Sequence, residues 1–168
     1  MKFDEAFRIL IENEGSYTNN YNDRGNWTSG VVGKGEQRGT KYGISAMSYP
    51  FLDIKNLTID DVKKIYKKDW WDKLRLDDLP EEIAFDMFDM AVNSGISNSV
   101  KTLQKTIGTN VDGIIGPNTI KLSNQYNPIR LVAHFNAHRL LFMTNISTWD
   151  TFGKGWSRRV ANNILLNS

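Results

Sequence analysis

A long stretch without helical periodicity interrupts a chain whose other segments have the pattern of amphipathic helices. Residues 15–45 are rich in Gly, Asn, Tyr, Thr and Ser, and they contain short extended pieces such as Gly30-Val31-Val32. The stretch is too long for a simple connector, and long ordered loops often carry binding or catalytic residues. We therefore predict a mostly α fold of the α+β kind: a helical domain with a small loop and β-hairpin lobe after its first helix.

The flanking segments carry recognisable helix signals. Phe3, Phe7, Leu10 and Ile11 share one face of a helix that we predict from Phe3 to Glu14, before Gly15. The other predicted helices begin at the Thr58–Asp61 capping box (running through about Trp71), after Pro80, at Ser97, at Pro117, at Pro128 and near residue 153. The last helix has an apolar stripe that predicts packing onto the core, although its two arginines leave a membrane-active segment as the alternative.

Composition excludes several classes of function. The 168 residues include no Cys, which excludes disulfide scaffolds, thiol nucleophiles and thiolate zinc sites. The two His residues have no apparent third ligand nearby, so we predict no metal and no cofactor. A formal net charge of +2 argues against a nucleic-acid partner. No apolar run approaches the roughly 18 to 20 residues of a membrane span.

Two acidic residues near the polar stretch form the strongest candidate for chemistry. Glu14 lies at the predicted end of the first helix, where the helix dipole disfavours a carboxylate and, with partial burial, would raise its pKa toward that of a general acid. Asp23 follows nine positions later, and Thr28 or Thr40 supplies a hydroxyl beyond it. Glycoside hydrolysis needs two carboxyl groups flanking one bond. A solvated glutamate at a frayed helix end is the alternative interpretation.

Several motifs in order then resemble one known family. They are Glu14-Gly15-Ser16-Tyr17-Thr18-Asn19, Asp23-Arg24-Gly25, Thr40-Lys41-Tyr42-Gly43-Ile44-Ser45, Trp70-Trp71-Asp72, Phe88-Asp89, Ala91-Val92-Asn93-Ser94-Gly95 and Val111-Asp112-Gly113. Together they are similar to the glycoside hydrolase family 108 N-acetylmuramidases, found as phage endolysins and secretion-associated muramidases. The resemblance covers about residues 3–165, and its later motifs resemble the peptidoglycan-binding region of that family. Ser16 replaces a family glycine, and residues 27–39 look inserted.

The resemblance implies a lysozyme-like fold and a role for each motif residue. Glu14 would be the catalytic acid, Asp23 its partner, and Thr40 a water-holding hydroxyl, with Thr28 as the alternative. The activity implied is cleavage of the β-1,4 bond between N-acetylmuramic acid and N-acetylglucosamine by a phage endolysin during host lysis. A lytic transglycosylase and a non-catalytic peptidoglycan-binding protein are the alternatives. Peptidoglycan strands would be the partner of a protein that we expect to be monomeric.

Four further residues are candidates for substrate binding. Tyr17 and Tyr42 could stack on sugar rings or form the small core of the lobe. Asp89 and Asn93 stand one turn apart in an apolar helix, and the resemblance favours a place in a cleft over a loop cap.

The sequence also gives expectations about domain organisation and location. We predict a single lysozyme-like domain over residues 1–168, with a catalytic region over 1–83 and a helical region over 84–168. Acidic residues near the start of the chain, Asp4 and Glu5, differ from the basic start of a signal peptide. We therefore expect synthesis in a cytoplasm, followed by release or export to the cell wall.

Overall fold

The chain is mostly helical. The computed structural model describes residues 1–12 and 14–166, and within them it contains seven α-helices and a two-stranded antiparallel sheet. These elements are α1 (Phe3–Glu12), β1 (Thr40–Lys41), β2 (Ile44–Ser45), α2 (Ile59–Tyr66), α3 (Glu81–Ser94), α4 (Ile96–Ile107), α5 (Pro117–Gln125), α6 (Pro128–Thr144) and α7 (Trp149–Leu166). The predicted mostly α, α+β fold is confirmed.

Most predicted helix starts are confirmed by the local geometry. Thr58 and Asp61 form the reciprocal capping box that opens α2, and Pro117 and Pro128 each occupy the first turn of a helix. The predicted start at Ser97 is wrong. Gly95, with φ +88°, ends α3 and directly precedes α4, so the chain turns between the helices without a separate cap.

Other helix boundaries also differ from the sequence prediction. The α2 helix ends at Tyr66 and is followed by a π-helical turn over Lys67–Trp71, whereas the capping box was expected to open one continuous helix. The first helix ends at Glu12, and the predicted continuation through Asn13 lies outside the described residues. The last helix begins at Trp149, earlier than expected.

The chain divides into two compact units. Phe7–Lys67 forms one, the hairpin unit, which contains most of α1, the β-hairpin and α2. Met1–Ala6 and the chain from Lys68 onward form the other, the helical unit. The division after Lys67 differs from the 83/84 boundary between the two predicted regions. The single-domain hypothesis stays a prediction.

Helix α3 lies at the centre of the helical unit. It packs against α4 and α6, and every residue from Ile83 to Ala91 is buried. At the middle of this helix, Phe88 meets Trp71 edge-on with ring centroids 5.5 Å apart, and Phe3 packs on both rings. Trp71 is therefore part of the core of this unit, with 1% of its surface exposed.

Helix α7 docks on α6 through part of the stripe that the sequence predicted. Val160 is buried as expected, and Gly153 and Asn163 are buried with it. Ile164 and Leu165 are instead 40% and 70% exposed. Among the described residues, no helix combines the length and apolar composition that a membrane span requires.

The hairpin unit has its own apolar core. Phe7 of α1 packs on Tyr66 of α2 with ring centroids 5.8 Å apart, and Leu10 and Ile44 are fully buried beside other core residues. Trp27 anchors the irregular segment, because its ring lies edge-on to Tyr21 and its Nε1 donates to the Tyr21 carbonyl oxygen at 2.9 Å. The core of this unit holds the ends of α1 and α2 around the β-hairpin.

Candidate active site

Glu14 lies against the turn of the β-hairpin. Its backbone N–H donates to the carbonyl oxygen of Ile11 at 3.1 Å, so the residue follows directly on the last turn of α1. A Cβ built on Gly43 would lie 3.2 Å from Glu14 Oε2 and would overlap the hydroxyl of Tyr66. Gly43 also has φ +76°, so both space and backbone conformation require glycine there. Glu14 is a half-buried residue, and its carboxyl group lies beside the hairpin turn.

The hairpin turn is fixed on both sides. Tyr42 adopts φ +50°, an uncommon conformation for a residue with a side chain, and its N–H donates to the carbonyl oxygen of Gly15 at 3.0 Å. The hydroxyl of Tyr66 donates to the Tyr42 carbonyl oxygen at 3.0 Å. Lys41 Nζ lies 5.7 Å from the centre of the Tyr42 ring. These contacts order the surroundings of the Glu14 carboxyl, which is what preorganised catalysis requires.

Thr40 lies on the first strand of this hairpin. Its hydroxyl donates to Asn26 Oδ1 at 2.8 Å, which leaves the oxygen lone pairs as acceptors. Its backbone exchanges two hydrogen bonds with Thr18, at 2.8 and 2.9 Å. The alternative candidate, Thr28, accepts a hydrogen bond from the N–H of Glu36 within the loop that looked inserted. Thr40 shares the hairpin with the Glu14 contact at Gly43, and its assignment stays a prediction.

Asp23 lies at the other end of the hairpin. It caps the short 3₁₀ turn Arg24–Asn26, with Oδ1 accepting from the N–H of Gly25 at 2.9 Å, and its side chain is exposed. A Cβ on Gly25 would be 3.9 Å from the Cβ of Ser45, the residue that pairs with Thr40. One hairpin therefore brings Glu14, Asp23 and Thr40 into the same neighbourhood. The cap gives Asp23 Oδ1 a structural role as a hydrogen-bond acceptor. A catalytic role of the carboxyl group stays a prediction.

A groove of about 450 Å³ lies in the same unit and contains Tyr17. Tyr17 packs its ring on Gly39 and donates its hydroxyl to the Arg38 carbonyl oxygen at 3.3 Å, so it serves the small core as well as the groove. Sequence reasoning missed Phe51, which lines the groove and is 94% exposed. Its position after Pro50, in a loop, was the available signal. An exposed aromatic ring beside polar side chains can stack on a sugar.

Asp89 and Asn93 lie in the helical unit. The Asp89 side chain is buried and contacts Arg139 Nη2 at 2.6 Å, Arg159 Nε at 2.8 Å and Asn163 Nδ2 at 2.9 Å. Burial acts to raise the pKa of Asp89, but the two guanidinium groups hold this pKa below its usual value. Asp89 therefore joins α3, α6 and α7 from within. Asn93 instead lines a pocket. Contact with substrate stays a prediction for both residues.

A second buried acid lies one turn before Asp89. Burial raises the pKa of Asp86 to about 6, against the opposing effects of Asn136 and Arg139.

Neither His residue forms part of a metal cluster, since the described residues contain no group of three His, Cys, Asp or Glu side chains suited to an ion. His134 Nδ1 lies 2.9 Å from the hydroxyl of Tyr126, an ordinary surface contact.

Comparison with known proteins identifies two families along the chain and one similar solved structure. The glycosyl hydrolase 108 family matches residues 7–95, and a family described as Predicted Peptidoglycan domain matches residues 98–161. Among solved structures, SagA of Brucella abortus is 28% identical, with a TM-score of 0.81 over 98% of this chain and 92% of that one. No curated protein sequence matches the chain.

The fold, the held carboxyl group and these matches define a glycoside hydrolase that acts on peptidoglycan. The chain belongs to the glycosyl hydrolase 108 family and carries a peptidoglycan-binding domain in its C-terminal half. The resemblance found in the sequence motifs is thereby confirmed.

Proposed function

We propose that this protein is an N-acetylmuramidase that cleaves the β-1,4 bond between N-acetylmuramic acid and N-acetylglucosamine. The observation that carries the proposal is the carboxyl group of the half-buried Glu14 against Gly43, inside the region that matches the hydrolase family. A carboxyl group fixed beside a rigid turn suits a general acid, because catalysis requires the proton donor at a defined position. Glu14 would donate its proton to the glycosidic oxygen as the bond to the anomeric carbon breaks.

The second half of the reaction requires a nucleophile at the anomeric carbon. In our proposal, a water molecule donates a hydrogen bond to the Thr40 hydroxyl oxygen and attacks this carbon. Asp23 takes the proton that the water loses. Thr40 is suited to this role because its hydrogen is already donated to Asn26, which fixes the orientation of the oxygen. Asp23 is suited because its carboxyl is held by the Gly25 N–H while its side chain is exposed. The products are two shorter glycan strands, one with a new reducing end.

The stereochemistry of this reaction tests the role of Asp23. If Asp23 activates water, we expect the new reducing end to form with inverted anomeric configuration, as in enzymes whose carboxyl groups are roughly 6.5 to 9.5 Å apart. Proton NMR of the anomeric signals during cleavage of a soluble glycan oligomer measures this outcome. Asp23→Asn should lower the rate by about 10²-fold or more, while Asp60→Asn, at an exposed acid in the first turn of α2, should not.

Two results would contradict this assignment. Retained configuration, with a glycosyl group trapped on Asp23, would make Asp23 a nucleophile instead of a base. If the protein binds the glycan but no new anomeric signal develops, it would be a non-catalytic binder, and the proposed activity itself would be contradicted.

We also propose a biological setting for the enzyme, that of a phage endolysin. The presence of a hydrolase region and a peptidoglycan-binding domain on one chain supports a protein that attacks cell walls directly. In this proposal the protein is made in the host cytoplasm, reaches the wall after release or export, and acts as a monomer.

A further inference from the structure

A pocket in the helical unit combines two arginines with aromatic and amide side chains. Its volume is about 500 Å³, within the usual range for small-ligand sites. Arg139 and Arg159 are its charged lining residues, and none of the described residues that line it is acidic. Trp156 and Phe142 form apolar walls, and Asn98 adds an amide.

The acids that compensate these arginines lie outside the pocket lining. Asp89 contacts Arg139 and Arg159 while being 1% exposed, and Asp86, which interacts with Arg139, is fully buried. Neither acid is among the lining residues. The pocket lining therefore carries two arginines and no acid, although the cluster as a whole is close to neutral.

Arg139 has donors that the protein itself does not use. Its Nη2 contacts Asp89 at 2.6 Å, but its Nε and Nη1 are buried and have no hydrogen-bond partner among the described residues. The side chain is fully buried and lines the pocket. Buried charged donors are nearly always satisfied, so these two groups point to an acceptor that comes from outside the chain. A carboxylate fits them, because a guanidinium binds its two oxygens in a fixed geometry.

We infer that this pocket binds a carboxylate of the peptidoglycan stem peptide. The inference rests on the proposed peptidoglycan substrate and names the part of it that the helical unit recognises. An N-acetylglucosamine chain carries no charge, whereas stem peptides carry carboxylates beside small apolar side chains. Such a peptide matches both the guanidinium groups and the apolar walls formed by Trp156 and Phe142.

Calorimetric titration of the full chain tests the inference, with three probes compared. The probes are a free tetrapeptide stem, the same peptide with its carboxyl groups amidated, and an uncharged N-acetylglucosamine tetrasaccharide. We expect the free peptide to bind, and amidation to weaken binding by about tenfold or more, since hydrogen bonds between charged groups are lost. The tetrasaccharide should not compete with the peptide.

Matched variants locate the binding in the pocket. Arg159→Gln should weaken peptide binding by about tenfold or more, and Arg159→Lys should lose less because it keeps the charge. Arg158→Gln, at the exposed neighbouring position, should bind like wild type. Asn98→Leu places a larger apolar side chain at a lining residue that is not among the hydrogen-bond partners of Asp89, and it should also weaken binding, so the test stands even if Arg159→Gln fails to fold.

The outcomes separate this inference from the proposed enzyme activity. Equal affinity for the free and amidated peptides, no binding of the free peptide, or unchanged binding by both Asn98→Leu and a folded Arg159→Gln, would overturn the pocket assignment. Peptide binding that depends on Arg159, in a protein that cleaves no glycan, would support the pocket and contradict the muramidase proposal.

Discussion

Replacing Glu14 with Gln is expected to abolish nearly all peptidoglycan cleavage while leaving the fold intact. An amide cannot give up the proton that the leaving oxygen needs, and general acids typically contribute about 10²- to 10⁴-fold to the rate. The variant should melt at the wild-type temperature or slightly above, because a carboxylate just beyond the end of α1 opposes the helix dipole. Turbidity clearing of purified peptidoglycan and thermal unfolding followed by circular dichroism measure the two effects.

Glu12 provides a matched control for this experiment. It lies two positions earlier, is exposed, and pairs only loosely with Arg8, at 3.4 Å. Glu12→Gln should therefore clear peptidoglycan at the wild-type rate. If Glu14→Gln keeps more than about a tenth of wild-type clearing, Glu14 is not the general acid.

Replacing Asp89 with Ala is expected to cause the largest loss of stability of any single substitution considered for this chain. The change would leave the buried guanidinium of Arg139 and the half-buried one of Arg159 without their shared carboxylate. Breaking a buried ion pair from one side costs roughly 3 to 5 kcal/mol, a large part of the 5 to 15 kcal/mol that stabilises a typical protein. Urea unfolding at neutral pH measures this loss of unfolding free energy.

An acid at the surface of the same unit serves as the comparison. Asp150 is exposed in the first turn of α7, where the helix dipole stabilises a carboxylate, so Asp150→Ala should cost roughly 0.3 to 1 kcal/mol. An equally small loss for Asp89→Ala would show that the cluster around Asp89 does not hold α3, α6 and α7 together.

Sequence patterns predicted the parts of this fold that depend on local physics. The Thr58 capping box and the prolines that open α5 and α6 act within one helical turn, so their residues are sufficient to place the helix starts. The start of α4 could not be placed in this way, because it depends on the positive φ of Gly95 in a tight turn between two packed helices.

The candidate site shows the same division between local and distant causes. Glu14 stood out because of its place near a helix end, and the motifs added Asp23 and Thr40. The contact of Glu14 with Gly43 joins residues far apart in the chain, as do the bonds from Asp89 to Arg139 and Arg159. The hydrophobic periodicity of a sequence contains no information about which distant residues form such pairs. Phe51 was missed because its sequence signal, a loop position after Pro50, does not identify the groove that its exposed ring lines.

The reaction proposed for this chain is hydrolysis of the bond between N-acetylmuramic acid and N-acetylglucosamine. Mass spectrometry of the fragments released from purified peptidoglycan, after borohydride reduction, tests it most directly. We predict fragments that end in reduced N-acetylmuramic acid and that are absent when Glu14→Gln replaces wild type. Fragments that end in anhydro-N-acetylmuramic acid would identify a lytic transglycosylase; borohydride does not reduce this end, so they would be lighter than the expected fragments by one water and two hydrogens. Ends of reduced N-acetylglucosamine would place the cut at the other glycosidic bond, and either result would contradict the proposed hydrolysis.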